Sequence, residues 1–187
     1  MASSSNLEIK IYVMIAKNMV ISPILIYVIV PILMAMSILY DIELLKTYDG
    51  LTLYTQTLPA SDKNKWAFDV HFFYQVLVLS LVLIKVFLID FNQQIKITNK
   101  KVVQLAIDKH QGGYPYTDPL KSSLFFLGLA CLFIFFPLID EYSPYERNSF
   151  AKNGFHLINF MLLWFKTGLV IVFLTMFAKK WQEKEFI

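Results

Sequence analysis

VHFFYQVLVLSLVLIKVFLI, residues 70–89, decides how this chain must fold. A histidine, a glutamine, a serine and a lysine are all that interrupt its apolar and aromatic positions. Soluble cores rarely need an apolar run of about 18 residues, whereas a membrane span needs roughly 20. In hydrocarbon the backbone must satisfy its own hydrogen bonds. Nothing here alternates as a barrel strand does, so the run is read as a transmembrane helix.

Three further runs behave alike: 19–40 (MVISPILIYVIVPILMAMSILY), 122–139 (SSLFFLGLACLFIFFPLI) and 155–177 (FHLINFMLLWFKTGLVIVFLTMF). The expected fold is therefore an all-α integral membrane protein, with about four transmembrane helices and short amphipathic elements in the loops. The 187 residues form one membrane domain in this reading. Composition agrees, since 57% of residues are hydrophobic, 17% are charged and the mean hydropathy is +0.54, too little polarity to coat a soluble domain of this size. The first run exceeds the roughly 7–15 apolar residues of a signal peptide and no small-x-small site follows it, so it is expected to stay as a span. Pro23 and Pro31 each withdraw a backbone donor from that run and are expected to kink or open its helix.

Lysine and arginine in the flanks set orientation. Lys10 and Lys17 precede the first run, Lys96, Lys100, Lys101, Lys109 and Lys121 occupy the 90–121 loop, and Lys179, Lys180 and Lys184 follow the last run. The other two loops are poorer in lysine and richer in acid, so both termini and the 90–121 loop are expected in the cytoplasm. The net charge of +3 is thus divided by membrane side, which speaks against nucleic-acid binding. The 41–69 loop carries amphipathic pieces suited to a membrane surface or a partner. Within the inner loop, QQIKITNKKVVQLAIDKH reads as a helix in preference to a hairpin, and QGGYPYTDP as the turn-rich connector that ends it.

The polar residues inside the runs form stripes. His71, Gln75, Lys85 and Asn92 share one helical face, and His156, Asn159 and Lys166 share another. The match in order hints at a repeat, but so few positions amid apolar filler are explained as well by coincidence. Lipid penalises such stripes, so they should face each other or a partner. Lys166 is near mid-run, where a lysine costs about 2.5–3.5 kcal/mol on insertion scales. With no acid at its depth, its counter-group is a backbone carbonyl, water, a bound anion or another subunit's carboxylate. Lys85 lies a turn from the inner boundary, where it can snorkel. The intramembrane polar contacts expected are thus Lys166, Asn159, Gln75 and Lys85.

His71 and His156 fall at similar depth and offer the one conceivable cofactor arrangement, two ligands to a haem iron; ordinary interfacial histidines explain them more simply. No third ligand completes a zinc site, and His110 reads as an exposed loop residue. Cys131 lies inside an apolar run and reads as a small buried side chain. No phosphate loop, His-Glu-x-x-His, Gly-x-Ser-x-Gly or Cys-x-x-Cys is present. No catalytic residue and no cofactor are therefore assigned. The leading functional expectation is a non-enzymatic structural or assembly subunit of a larger membrane complex, partnered by the lipid bilayer and by other membrane subunits or copies of itself. An oligomeric channel or transporter lined by the polar stripes comes second, and a haem-binding redox anchor third.

Overall fold

A computed structural model describes residues 4–19, 23–40, 42, 47–52, 55, 65–89, 91–109, 118–135 and 149–187, with side chains described at all of these except 4–5, 37–38 and 149–160. Helix is the only regular structure among them. α1 is Ser4–Met19, and α2 opens as a π-helix at Leu25–Ile29 and continues as an α-helix through Val30–Tyr40. α3 is Lys65–Ile84 extended by a π-turn at Lys85–Ile89, α4 is Gln93–Lys109, α5 is Pro119–Phe135 and α6 is Ser149–Glu183.

Local chemistry explains several boundaries. Pro31 opens α2 as anticipated: it brings no N–H and crowds the carbonyl four residues before it, and in the turn ahead of it Val30 N–H bonds to Leu25 O, one residue further back than in an α-helix, whereas Pro23 precedes the helix. Asn92 caps α4, its side-chain oxygen accepting from Gln94 N at 3.0 Å. The stretch after it is a single helix, which settles the choice against a hairpin. Asp118 caps α5 in the same way, accepting from Leu120 N at 2.9 Å, with Pro119 in the first helical position, where its missing donor costs nothing.

The chain divides into two compact units: Met1–Ile21 with Leu77–Leu132 and Val170–Ile187, and Ser22–Val76 with Phe133–Leu169. In the first, α1 packs along α4. Ile11, Ile15 and Met19 of α1 and Ile95, Asn99 and Val103 of α4 are buried at four-residue spacing, as one face of a helix requires. Val78 and Val82 of α3 and Val170, Leu174 and Phe177 of α6 complete that core. In the second unit the core holds Ile26, Val30 and Met34 of α2, Trp66, Phe68 and Tyr74 of α3, and Leu163 of α6. There Tyr27 meets Trp164 with ring centroids 5.3 Å apart, and a Cβ at Gly168 would come within 3.3 Å of the Tyr27 hydroxyl, so glycine lets α2 and α6 approach.

Two stretches of described helix, Lys65–Ile89 and Met161–Glu183, are long and apolar enough to cross a membrane, while Leu25–Met36 and Pro119–Phe135 are shorter apolar helices. Their polarity is turned inside out. Phe73, Leu77, Phe87 and Leu88 of α3 and Met161, Phe165 and Val172 of α6 are exposed, whereas Asp69, His71 and Gln75 of α3 and Lys166, Thr167 and Thr175 of α6 are buried.

Candidate functional site

In the second unit, the four-residue spacing of His71 and Gln75 puts both on the buried edge of α3, and α6 supplies Lys166 and Thr167. The hub is Thr167. His71 Nδ1 lies 2.8 Å from its hydroxyl oxygen, and Gln75 Nε2 donates to the same oxygen at 2.7 Å. The hydroxyl itself donates to the Leu163 carbonyl at 3.1 Å, one turn back on its own helix. A hydroxyl has one hydrogen and two lone pairs, so it accepts from both Gln75 and His71. The neutral imidazole therefore carries its proton on Nδ1 and presents Nε2 as an acceptor.

Lys166 is 5% exposed, and its ammonium donates to the Ile134 carbonyl of α5 at 3.4 Å. Of the counter-groups open to a mid-run lysine, a backbone carbonyl is thus in contact with it. Gln75 Oε1 is a buried acceptor without a hydrogen-bond partner among the described residues. The orientation of Thr167 is not that of an activated nucleophile, since its proton points to Leu163 and not to the imidazole.

The stripe residues are thus only partly gathered. His71, Gln75 and Lys166 come to one place; Lys85 belongs to the first unit, where its ammonium donates to the Asn18 carbonyl at the end of α1. The side chains of His156 and Asn159 lie outside the described residues, as does His110, so the two-histidine arrangement is not placed. Sequence reasoning passed over Thr167. Small hydroxyl residues are habitual contacts between membrane helices, and its position beside Lys166 was the available signal.

A second polar cluster, unforeseen, closes the C-terminal end of α6 in the first unit. Lys179 pairs with Glu183 at 3.0 Å and with Glu8 of α1 at 3.1 Å, and its ammonium sits 4.8 Å from the centre of the Tyr12 ring. Lys180 pairs with Glu183 at 2.6 Å. Asn99 of α4 reaches the Lys179 carbonyl and Gln182 Oε1, each at 3.5 Å. Lys179, counted as a topological charge, therefore also holds α1 and α6 together.

A third cluster surrounds Asp69 at the start of α3. One carboxylate oxygen accepts from Tyr48 hydroxyl at 2.7 Å and Leu51 N at 2.6 Å, the other from Thr55 hydroxyl at 2.9 Å and Thr52 N at 3.3 Å. Gly50 permits this wrap by taking φ +86°, with Thr55 packed where a Cβ would stand. Desolvation first, then the hydrogen bond to Asp69, pushes the Tyr48 hydroxyl up to about 12. Among the described residues no group of three or more His, Cys, Asp or Glu side chains is placed to hold a metal ion. The chain matches no family model, no curated protein and no solved structure.

Proposed function

We propose that the chain is a multi-pass membrane protein with four helical spans, near 19–40, 70–89, 122–139 and 155–177, and with both termini and the 90–121 loop in the cytoplasm. In this reading it is a non-enzymatic structural or assembly subunit of a larger membrane complex. The observation that carries the reading is the inverted polarity of α3 and α6. A core helix of a soluble protein hides its apolar face, yet only 28% of the apolar 18-residue window within Lys65–Ile89 is buried while Asp69, His71 and Gln75 on the same helix are covered. Such a surface fits acyl chains or the apolar helices of partners, and the interior contacts act as interhelical glue. Lys166, directed at the Ile134 carbonyl, serves as a contact between α5 and α6.

The test is mild-detergent purification of the tagged protein from its own membrane, with mass determination and identification of what accompanies it. The expected result is a stoichiometric assembly well above the 21.8 kDa of one chain. A monodisperse single chain with no companion would remove the subunit role.

One observation favours a second reading, an oligomeric channel or transporter. His71, Gln75, Thr167 and Lys166 bring proton- and ion-handling groups together inside one helix pair. Proteoliposomes that pass neither protons nor small ions set it aside.

A further inference from the structure

The packed pair α1 and α4, both in the first unit, leaves an outer face of mixed character. Opposite the buried Ile11 and Ile15, α1 exposes Ile9 and Val13, with Lys10 and Lys17 exposed beside them. Opposite the buried Ile95 and Val103, α4 exposes Ile97 and Leu105 together with Lys100 and Lys101. Aliphatic side chains flanked by lysines on one helix face suit an interface, where the aliphatics enter the acyl boundary and the ammonium groups reach the headgroups.

Depth and charge both point the same way. The Lys85 ammonium donates to the carbonyl of Asn18, which ties the end of α1 to α3 about one turn before the apolar run of α3 stops at Ile89. Lys10, Lys17, Lys100 and Lys101 have no ion-pair partner among the described residues, while Glu8 is engaged with Lys179, Glu183 with Lys179 and Lys180, and Glu185 with Lys96, which leaves Asp108, accepting from Gln104, as an exposed acid on α4 against these four lysines. The uncompensated charge on this face is therefore positive.

We infer that the outer face of the α1–α4 pair binds anionic phospholipid headgroups in the leaflet nearest the chain termini. The inference rests on the membrane reading above and deepens it by naming the class of lipid. Each lysine close to an anionic surface adds attraction that decays within a Debye length.

The test uses the full chain in a mild nonionic detergent. It is incubated with an equimolar mixture of phosphatidylglycerol and phosphatidylcholine, repurified, and its bound lipid measured by mass spectrometry. Phosphatidylglycerol is expected to be enriched by about threefold or more, and the enrichment should fall toward parity in 1 M salt, where the screening length is about 3 Å. Replacing Lys10, Lys17, Lys100 and Lys101 by Gln should abolish the preference, and replacing the same four by Arg should keep it. The pairs K10Q/K17Q and K100Q/K101Q, made separately, should each lose part of it, which guards against misfolding of the quadruple variant. Parity in the wild type, or enrichment that survives all four Gln replacements, overturns the inference. Carbonate washing of the native membrane separates the two failures. A chain that carbonate releases takes the membrane reading down with the inference, whereas a retained chain at lipid parity fails only the inference.

Discussion

Thr167 has no charge and little bulk, yet two buried side chains depend on its oxygen. Thr167→Val keeps the shape and removes the acceptor, leaving His71 Nδ1–H and the Gln75 amide to find new partners in an apolar interior. Each orphaned group costs about 1–3 kcal/mol, so a clear fall in the thermal midpoint in detergent is expected, with Thr167→Ser close to wild type. An unchanged midpoint for the valine variant would show that the hydroxyl is not the hub. Lys179 carries a comparable burden. Lys179→Met leaves Glu183 buried but still paired with Lys180, so the loss should fall near the lower end of the about 3–5 kcal/mol for a broken buried pair. Glu8→Gln should cost under about 1 kcal/mol, because the Glu8 carboxylate is 37% exposed. At Asp69 the chemistry is legible through pH. Tyr48 titrates near 12 when folded against 10.0 unfolded, so the folded loop favours the protonated phenol. That contribution is complete below pH 10 and is lost as pH rises toward about 12. The difference between wild-type and Tyr48→Phe absorbance titrations at tyrosinate wavelengths should place one phenol's ionisation close to 12.

At the scale of elements, the helix starts are written in single residues. Asn92→Ala and Asp118→Ala each remove a side-chain acceptor from a helix N-terminus, at about 1 kcal/mol apiece. The two caps serve different helices, so their effects on the thermal midpoint should add within about 0.5 kcal/mol. Marked non-additivity would mean that the two helices melt as one unit through a shared contact. Both caps stood in plain view in the sequence, Asn92 after an apolar run and Asp118 directly before a proline. The π-turn in α2 was legible only in outline. Two prolines in one run announce a disturbed helix, but which carbonyl Val30 finds instead depends on how the widened turn packs.

For the whole molecule, what the protein tolerates follows from its long apolar helices, which among the described residues expose large apolar side chains and bury His71, Gln75, Lys166 and Thr167 within largely apolar cores. Charged replacements at exposed Leu77 or Phe165 should block membrane retention or assembly, although on a soluble protein the same exposed positions would accept them freely. The proposed topology is tested with tags at the two termini and one inserted at 47–52. Protease should reach the terminal tags from one side only and the 47–52 tag from the other, and terminal tags found on opposite sides would reverse the reading.

Apolar runs, helical period, proline, cap residues and lysine counts are local quantities, and from them the sequence alone yielded helicity, the long apolar segments and the faces that carry polar groups. Hydrocarbon compels each segment to satisfy its backbone internally, which makes helix a property of the segment itself. Side chains are under no such constraint. Thr167 meets His71 across 96 positions of chain and Lys179 meets Glu8 across 171, and no spacing rule reaches that far. Only the packing of helices against one another decided that Lys166 turns to the Ile134 carbonyl and that Lys179 pairs with Glu8 of the first helix.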